Sequence, residues 1–288
     1  MTKGIIIAGG LGTRLWPSTI ISSKQLLPIY DKPLIYYPLT TLILAGISEI
    51  EIIVSPSHID DFKTLLGDGS KWGLRISFCI QPEPKGIPEA LTHLSPHFQN
   101  CKLVVILGDN LLFGMGLGTS LQNIRIEKGA LAFAYQVSNP SDFGVVVFDA
   151  TGRPIEISEK PHLPKSNFAI PGLYFLDDSV FSRISKLTPS VRGEFEIVDL
   201  LESYLEDGLL EFKILERGTA WLDTGTQENM LEASEFVRII EKRQGQKIGC
   251  PEEAAFRMGL INRDELKAAA QQMPIGNYRS YIESIISD

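Results

Sequence analysis

The sequence predicts an α/β protein, with a mixed, mainly parallel central sheet between helical layers and a C-terminal helical tail. Three observations carry that expectation. Apolar strands alternate with amphipathic helices through the first half of the chain, a rhythm that implies right-handed strand–helix–strand crossovers and parallel pairing. After about residue 128, short strands follow one another closely. From Gln227 onward the polar–apolar spacing is helical.

Taken in order, Lys3 to Ile7 contains the run Ile5-Ile6-Ile7 and reads as a strand buried on both faces, as parallel strands usually are. A helix near Pro33 to Ala45, a strand at Ile50 to Val54, a helix at His58 to Leu66 and strands at Arg75 to Ile80 and Leu103 to Leu107 follow. The segments Ala130 to Val137, Gly144 to Phe148, Pro154 to Ser158 and Gly172 to Phe175 read as an antiparallel or mixed addition to the sheet. Glu228 to Arg243, Glu252 to Met258 and Asp264 to Gln271 are the tail helices. With no low-complexity linker or repeat, residues 1–226 read as one α/β domain and 227–288 as a helical extension packed on it.

Composition sets outer limits. A chain of 288 residues, 44% of them hydrophobic, can fill a sizeable core. No apolar run approaches the roughly 18 residues of a membrane span, and no signal-like apolar stretch opens the chain. The expectation is a cytoplasmic protein with no membrane partner. Cys79, Cys101 and Cys250 are far apart and lack C-x-x-C spacing, which argues against a disulfide framework and a zinc site. His93 and His97, read as having no acidic partner nearby, are expected to be a surface helix pair. A net charge of −8 disfavours nucleic acid as a partner, so a polyanionic ligand would need local cations and a metal ion.

The most informative stretch is Ala8-Gly9-Gly10-Leu11-Gly12-Thr13-Arg14, followed by Ser23-Lys24-Gln25. It lies at the carboxyl end of the first strand, where open α/β sheets bind ligands. Gly9, Gly10 and Gly12 let backbone N–H groups approach an anion, Arg14 adds a planar charged fork and Lys24 a mobile point charge. Leu15 stands where a dinucleotide fingerprint needs its third glycine, and no Walker A sequence occurs. The plainer alternative is a glycine turn with two exposed cations.

Val104 to Asn110 is an apolar strand ending in Gly108-Asp109, which places a carboxylate at the same sheet edge. Asp109 is a candidate ligand for Mg²⁺, a hard cation that bridges phosphates, or else a turn aspartate. Asp223, in Trp221-Leu222-Asp223-Thr224-Gly225, is the natural second carboxylate, or else part of the helix N-cap region before Gln227. Glu159 and Lys160 suit a sugar phosphate, or form a surface ion pair before Pro161. Gln81 has the paired donor and acceptor that a pyrimidine edge needs, though loop glutamines are common.

In order, GGLGTRL, SKQLLPIYDKPLIYYPL, LLGDGSKWGL, QPEPKG, LGDN, EKP, RGEFEIVD, AWLDTGT and RQGQKIGCPEE resemble the glucose-1-phosphate thymidylyltransferases (dTDP-glucose pyrophosphorylases) of the sugar nucleotidyltransferase family. The resemblance runs from Lys3 to about Arg257. It implies a Rossmann-like three-layer nucleotidyltransferase fold, a Mg²⁺ cofactor and a homotetramer arranged as a dimer of dimers. It also implies thymidylyl transfer from dTTP to α-D-glucose 1-phosphate, giving dTDP-glucose and pyrophosphate, the first step of dTDP-rhamnose or related deoxysugar synthesis.

By the same resemblance, Gly9, Gly10, Gly12, Thr13, Arg14 and Gln25 surround the triphosphate, and Lys24 holds phosphate oxygens near the reacting centre. Asp109 and Asp223 hold Mg²⁺, Gln81 and the Gly86 backbone read thymine, and Asn110, Gly144, Glu159, Lys160 and Gly172 take the sugar phosphate. The alternatives are the same chemistry on UTP or another hexose 1-phosphate, and a noncatalytic nucleotide-sugar-binding protein; retention of Arg14, Lys24, Asp109, Lys160 and Asp223 speaks against the last.

The chain departs from the family pattern at Leu11, Ile87, Phe143 and Ile170-Pro171, several of them near the sugar. Pro88-Glu89 replaces Ala-Gln, which reads as structural because proline and acid both suit a first helical turn. Gly114 to Gly118 replaces histidine and aromatics beside a second nucleotide site used for feedback, which Arg257 matches.

Overall fold

The computed structural model describes residues 2–287. The triple isoleucine lies in β1 (Thr2–Ala8), and a short hairpin of β2 (Pro28–Ile29) and β3 (Lys32–Pro33) leads into α1 (Tyr36–Leu44). Alternation then follows the predicted rhythm: β4 (Glu49–Val54), α2 (Ile59–Leu66), β5 (Arg75–Ile80), α3 (Ile87–Thr92) and β6 (Lys102–Leu107). Four strands pair in parallel in the order β5-β4-β1-β6, with Ile5 beside Glu51 on one side and Val105 on the other. Ile5 and Ile6 are both fully buried and join different core clusters, so the sheet is covered on each face.

The second half changes character as expected. After β7 (Asn110–Phe113) and α4 (Leu117–Gln122) come β8 (Ala130–Gln136), β9 (Gly144–Phe148), β10 (Pro154–Glu159), β11 (Phe168–Ala169) and β12 (Leu173–Leu176). These extend the sheet beyond β6 in the order β12-β8-β11-β9-β10, all by antiparallel pairing. The sequence reading did not mark α5 (Val180–Ile184), α6 (Ile197–Glu206) or β13 (Leu210–Ile214), which pairs in parallel with β8. β14 (Ala220–Asp223) pairs only with β7, as a ribbon of two strands beside the main sheet.

The tail is helical: α7 (Gln227–Gln244), α8 (Pro251–Arg257), α9 (Arg263–Gln272) and α10 (Asn277–Ser287). Thr226 caps α7 by accepting from the Asn229 N–H at 3.2 Å, so Asp223 lies ahead of the cap rather than in it. Asn262 and Glu265 form a reciprocal capping box on α9. Ala254, Ala255, Leu266 and Ile282 pack into the same core cluster as Ile6 and Ile52. Among the described residues no helix is long and apolar enough to cross a membrane.

Candidate active site

The loop after β1 turns at Gly12, whose φ of 62° is left-handed backbone that favours glycine. Within the described residues no backbone hydrogen bond uses the N–H groups of Gly10, Leu11, Gly12 or Thr13, which suits a loop that receives an anion. Arg14 is exposed at its rim. Lys24 departs from the expectation of a mobile charge: it is only 6% exposed, and its Nζ lies 2.6 Å from Asp109 Oδ2. Gln25, also buried, accepts from Ser23 Oγ at 2.7 Å and packs against Gly108 at the end of β6.

The two candidate carboxylates meet. β7 pairs with β14 so that Asp223 lies opposite Asn110, and Thr224 clamps Asp109 by donating from its N–H (3.2 Å) and Oγ1 (2.9 Å) to the Asp109 carbonyl. Burial works to raise the Asp109 carboxyl, but the charge and hydrogen bond of Lys24, with help from Asn110, hold it below the usual aspartate range. Asp223 goes the other way. Burial first, and then the charge of Asp109, push its carboxyl up against the pull of Lys24 and Arg14.

Asp223 joins none of the ion pairs among the described residues; the Lys24 ammonium acts on both carboxylates by its charge but is bonded to Asp109. Two neighbouring carboxylates, one of them without an ion-pair partner, suit a hard divalent cation, and no third acidic, His or Cys residue completes a cluster among the described residues. Such an ion would take its other ligands from water or phosphate.

A cavity of about 250 Å³ opens beside the carboxylates and is lined by Arg14, Gly86, Asp109, Asn110, Gly144, Glu159, Lys160, Gly172 and Asp223. The structure thus gathers every residue expected at the sugar phosphate, while Gly9, Gly10, Gly12, Thr13, Lys24, Gln25 and Gln81 do not line this cavity. Asn110 is 2% exposed and largely committed: its Oδ1 accepts from Gly172 N (3.0 Å) and Trp221 Nε1 (2.6 Å), and its Nδ2 donates to Asp109 Oδ1 (2.9 Å). Glu159 is raised chiefly by burial, with Lys160 opposing. A Cβ on Gly86, at φ 103°, would strike the backbone of Phe195, so the turn before α3 needs glycine.

Sequence reasoning missed several neighbours. Arg192 lines the cavity and approaches Glu159 Oε1 at 3.5 Å while bonding Glu196; its motif RGEFEIVD was the only signal. Phe143, one of the departures, packs against Trp221 with ring centroids 5.0 Å apart and the planes tilted by 59°, and Ile87 and Ile170 also face the cavity. Glu89 is more than a favourable charge in the first turn of α3. Its Oε2 accepts from Gln81 Nε2 at 2.7 Å, and its Oε1 lies 2.6 Å from His93 Nε2. The expected histidine pair is therefore corrected: α3 ends at Thr92, His93 has an acidic partner one turn earlier, and His97 lies beyond the helix, 3.8 Å from Glu49. Gly114, Gly118 and Arg257 share a separate pocket of about 200 Å³.

The model of the nucleotidyl transferase family matches residues 3–239. The chain is 49% identical over 284 residues to a glucose-1-phosphate thymidylyltransferase of Mycolicibacterium smegmatis, covering 99% of each protein. It is 47% identical over 281 residues to one of Neisseria meningitidis, covering 97% of this chain and 98% of the relative. A solved structure from Bacillus anthracis, assigned as a glucose-1-phosphate thymidylyltransferase and complexed with sucrose, superposes with a TM-score of 0.76 at 36% identity, over 83% of this chain and 96% of that one. A UDP-glucose pyrophosphorylase complexed with UDP-glucose shares the fold, with a TM-score of 0.73 at 24% identity over 84% and 100% of the two chains.

Proposed function

The chain belongs to the nucleotidyl transferase family, and from that premise we propose that it transfers a thymidylyl group from dTTP to α-D-glucose 1-phosphate, releasing dTDP-glucose and pyrophosphate. The observation that carries this reading is the meeting of Arg14, Asp109 and Asp223 with Glu159 and Lys160 around one cavity beside the glycine loop. The names of relatives 47% and 49% identical over nearly the whole chain support the choice of substrates.

A phosphate oxygen of the sugar 1-phosphate attacks the α-phosphorus of dTTP. The bond from that phosphorus to the β-phosphate bridging oxygen breaks, and pyrophosphate leaves with its electron pair. The nucleophile is already ionised, so no general base or covalent enzyme intermediate is required. The obstacle is charge: two unit charges about 4 Å apart repel by about 4 kcal/mol at an effective dielectric near 20. Lys160 would hold the phosphate of the sugar, Arg14 the triphosphate, and Lys24, fixed by Asp109, would present its ammonium at the reacting centre. Asp109 and Asp223 would hold Mg²⁺, which when bound neutralises phosphate charge and orients the oxygens. Glu159 would accept hydrogen bonds from sugar hydroxyls, with Gly144 and Gly172 leaving room for the ring.

The departures at Ile87, Phe143 and Ile170 face this cavity and bear on which sugar is preferred. A panel of hexose 1-phosphates with dTTP and UTP, scored by pyrophosphate release, tests the reading. A clear preference for another pair would replace it. We further propose that residues 227–288 are an extension of the same domain and carry self-association into a homotetramer. Leu231 (56% exposed) and Ile239 (48% exposed) on α7 supply apolar surface for that purpose. Light scattering after gel filtration reads the assembly.

A further inference from the structure

We propose that Glu89 is a positioning residue that fixes which way round the Gln81 amide faces, and thereby which class of base the nucleotide site accepts. The proposal rests on Gln81 reading the base. The oxygen and nitrogen of an amide are nearly alike in size, so hydrogen-bond partners rather than packing must set its orientation. Gln81 is 3% exposed, and its Nε2 donates to Glu89 Oε2 at 2.7 Å and to the Gly86 carbonyl at 3.3 Å. An ionised carboxylate and a carbonyl can only accept. Turning the amide over would set its oxygen against both and leave buried groups unpaired, which is costly.

The brace has a second tier. Glu89 Oε1 is bonded to His93 Nε2 at 2.6 Å, one helical turn further on, so the carboxylate is held at both oxygens. On the far side, Gln81 Oε1 faces the glycine loop, where a Cβ on Gly9 would come within 2.6 Å of it. With both N–H bonds of Gln81 committed, the group left for a ligand is an acceptor. An acceptor pairs with the N3–H of a thymine or uracil ring, whereas cytosine presents a lone pair at N3. The glutamine that the sequence resemblance leads one to expect at position 89 could donate as well as accept. The carboxylate of Glu89 removes that freedom.

Initial-rate kinetics with dTTP and dCTP, on the full chain, read the effect. Wild type should favour dTTP by more than about 100-fold in kcat/KM, and Glu89→Gln should cut that preference about tenfold, mostly through KM, while melting at the wild-type temperature. His93→Ala should cut it less. A folded Glu89→Gln variant that keeps the wild-type ratio within twofold overturns the proposal. Gln81→Ala separates the two levels. If it keeps the wild-type ratio, the base-reading role fails and the role of Glu89 with it. If it loses the ratio while Glu89→Gln retains it, only the Glu89 inference fails.

Discussion

The cluster where the tail meets the β2–β3 hairpin and the cluster in the active site each bring two carboxylates and two cations together, and they are built in opposite ways. Where the tail meets the β2–β3 hairpin, Glu241 on α7 bonds Lys32 Nζ at 2.9 Å and Lys247 Nζ at 2.8 Å, while Asp31 pairs with the same two lysines. Glu241 also accepts from the Ile248 N–H at 3.0 Å. Burial works to raise Asp31, but Lys32 and Lys247 hold it below its usual range. In the active site Lys24 bonds Asp109 alone, Arg14 stays exposed at the rim, and Asp223 is pushed up. In the first cluster each carboxylate is bonded to both lysines, whereas in the second Asp223 has no ion-pair partner among the described residues and is raised by burial and by Asp109. On the proposed function, a site that receives phosphates and a metal ion would give up stability that a structural cluster keeps.

The contrast yields predictions, the largest first. Asp109→Asn and Lys24→Ala should each lower kcat by about 1,000-fold or more in a pyrophosphate-release assay, because the first removes a proposed ligand of the divalent cation and the partner that fixes Lys24, and the second removes a cation from the reacting centre. Turnover within tenfold of wild type would dissolve the distinction between the clusters. Glu241→Ala should do the reverse. Removing one partner from a buried network costs about 3 kcal/mol, or roughly 6 °C of melting temperature for a chain of this size, with kcat within a few-fold of wild type. Glu159→Gln should raise KM for the sugar phosphate about tenfold and leave KM for dTTP nearly unchanged, which separate saturation curves will show.

The smallest effect is the pH dependence of the first cluster. A carboxyl whose folded value lies below its unfolded one adds stability that is complete above the unfolded value, about 3.9 for aspartate, and vanishes as pH falls through the folded value. The melting temperature should therefore fall on acidification below about pH 4, and less steeply in Asp31→Asn. Parallel curves for the two proteins would remove Asp31 from that role.

How legible this was in sequence depended on distance along the chain. The β1 strand, its glycine loop and the carboxylate after β6 were readable because each signal lies within a few residues, and the parallel sheet followed from repeated strand–helix spacing. The meeting of Asp109 with Asp223 was implied by the family resemblance but was not readable from the residues themselves. It depends on β7 and β14, four residues each, paired so that Thr224 reaches back 115 residues to the Asp109 carbonyl. Trp221 reaches Asn110 over a separation of 111 residues for the same reason. Glu89 failed differently: it lies only eight residues from Gln81, but its helix is six residues long and its first-turn position already had a sufficient explanation.

Burial and the charge of Asp109 raise Asp223, and on the proposed function the pair serves turnover rather than folding. Asp223→Asn, assayed with and without divalent cation, tests it most directly. The expected result is a kcat at least about 100-fold below wild type together with a metal-free melting temperature equal to or above that of wild type. A melting temperature that falls as far as that of Glu241→Ala, or a kcat close to wild type, would contradict it.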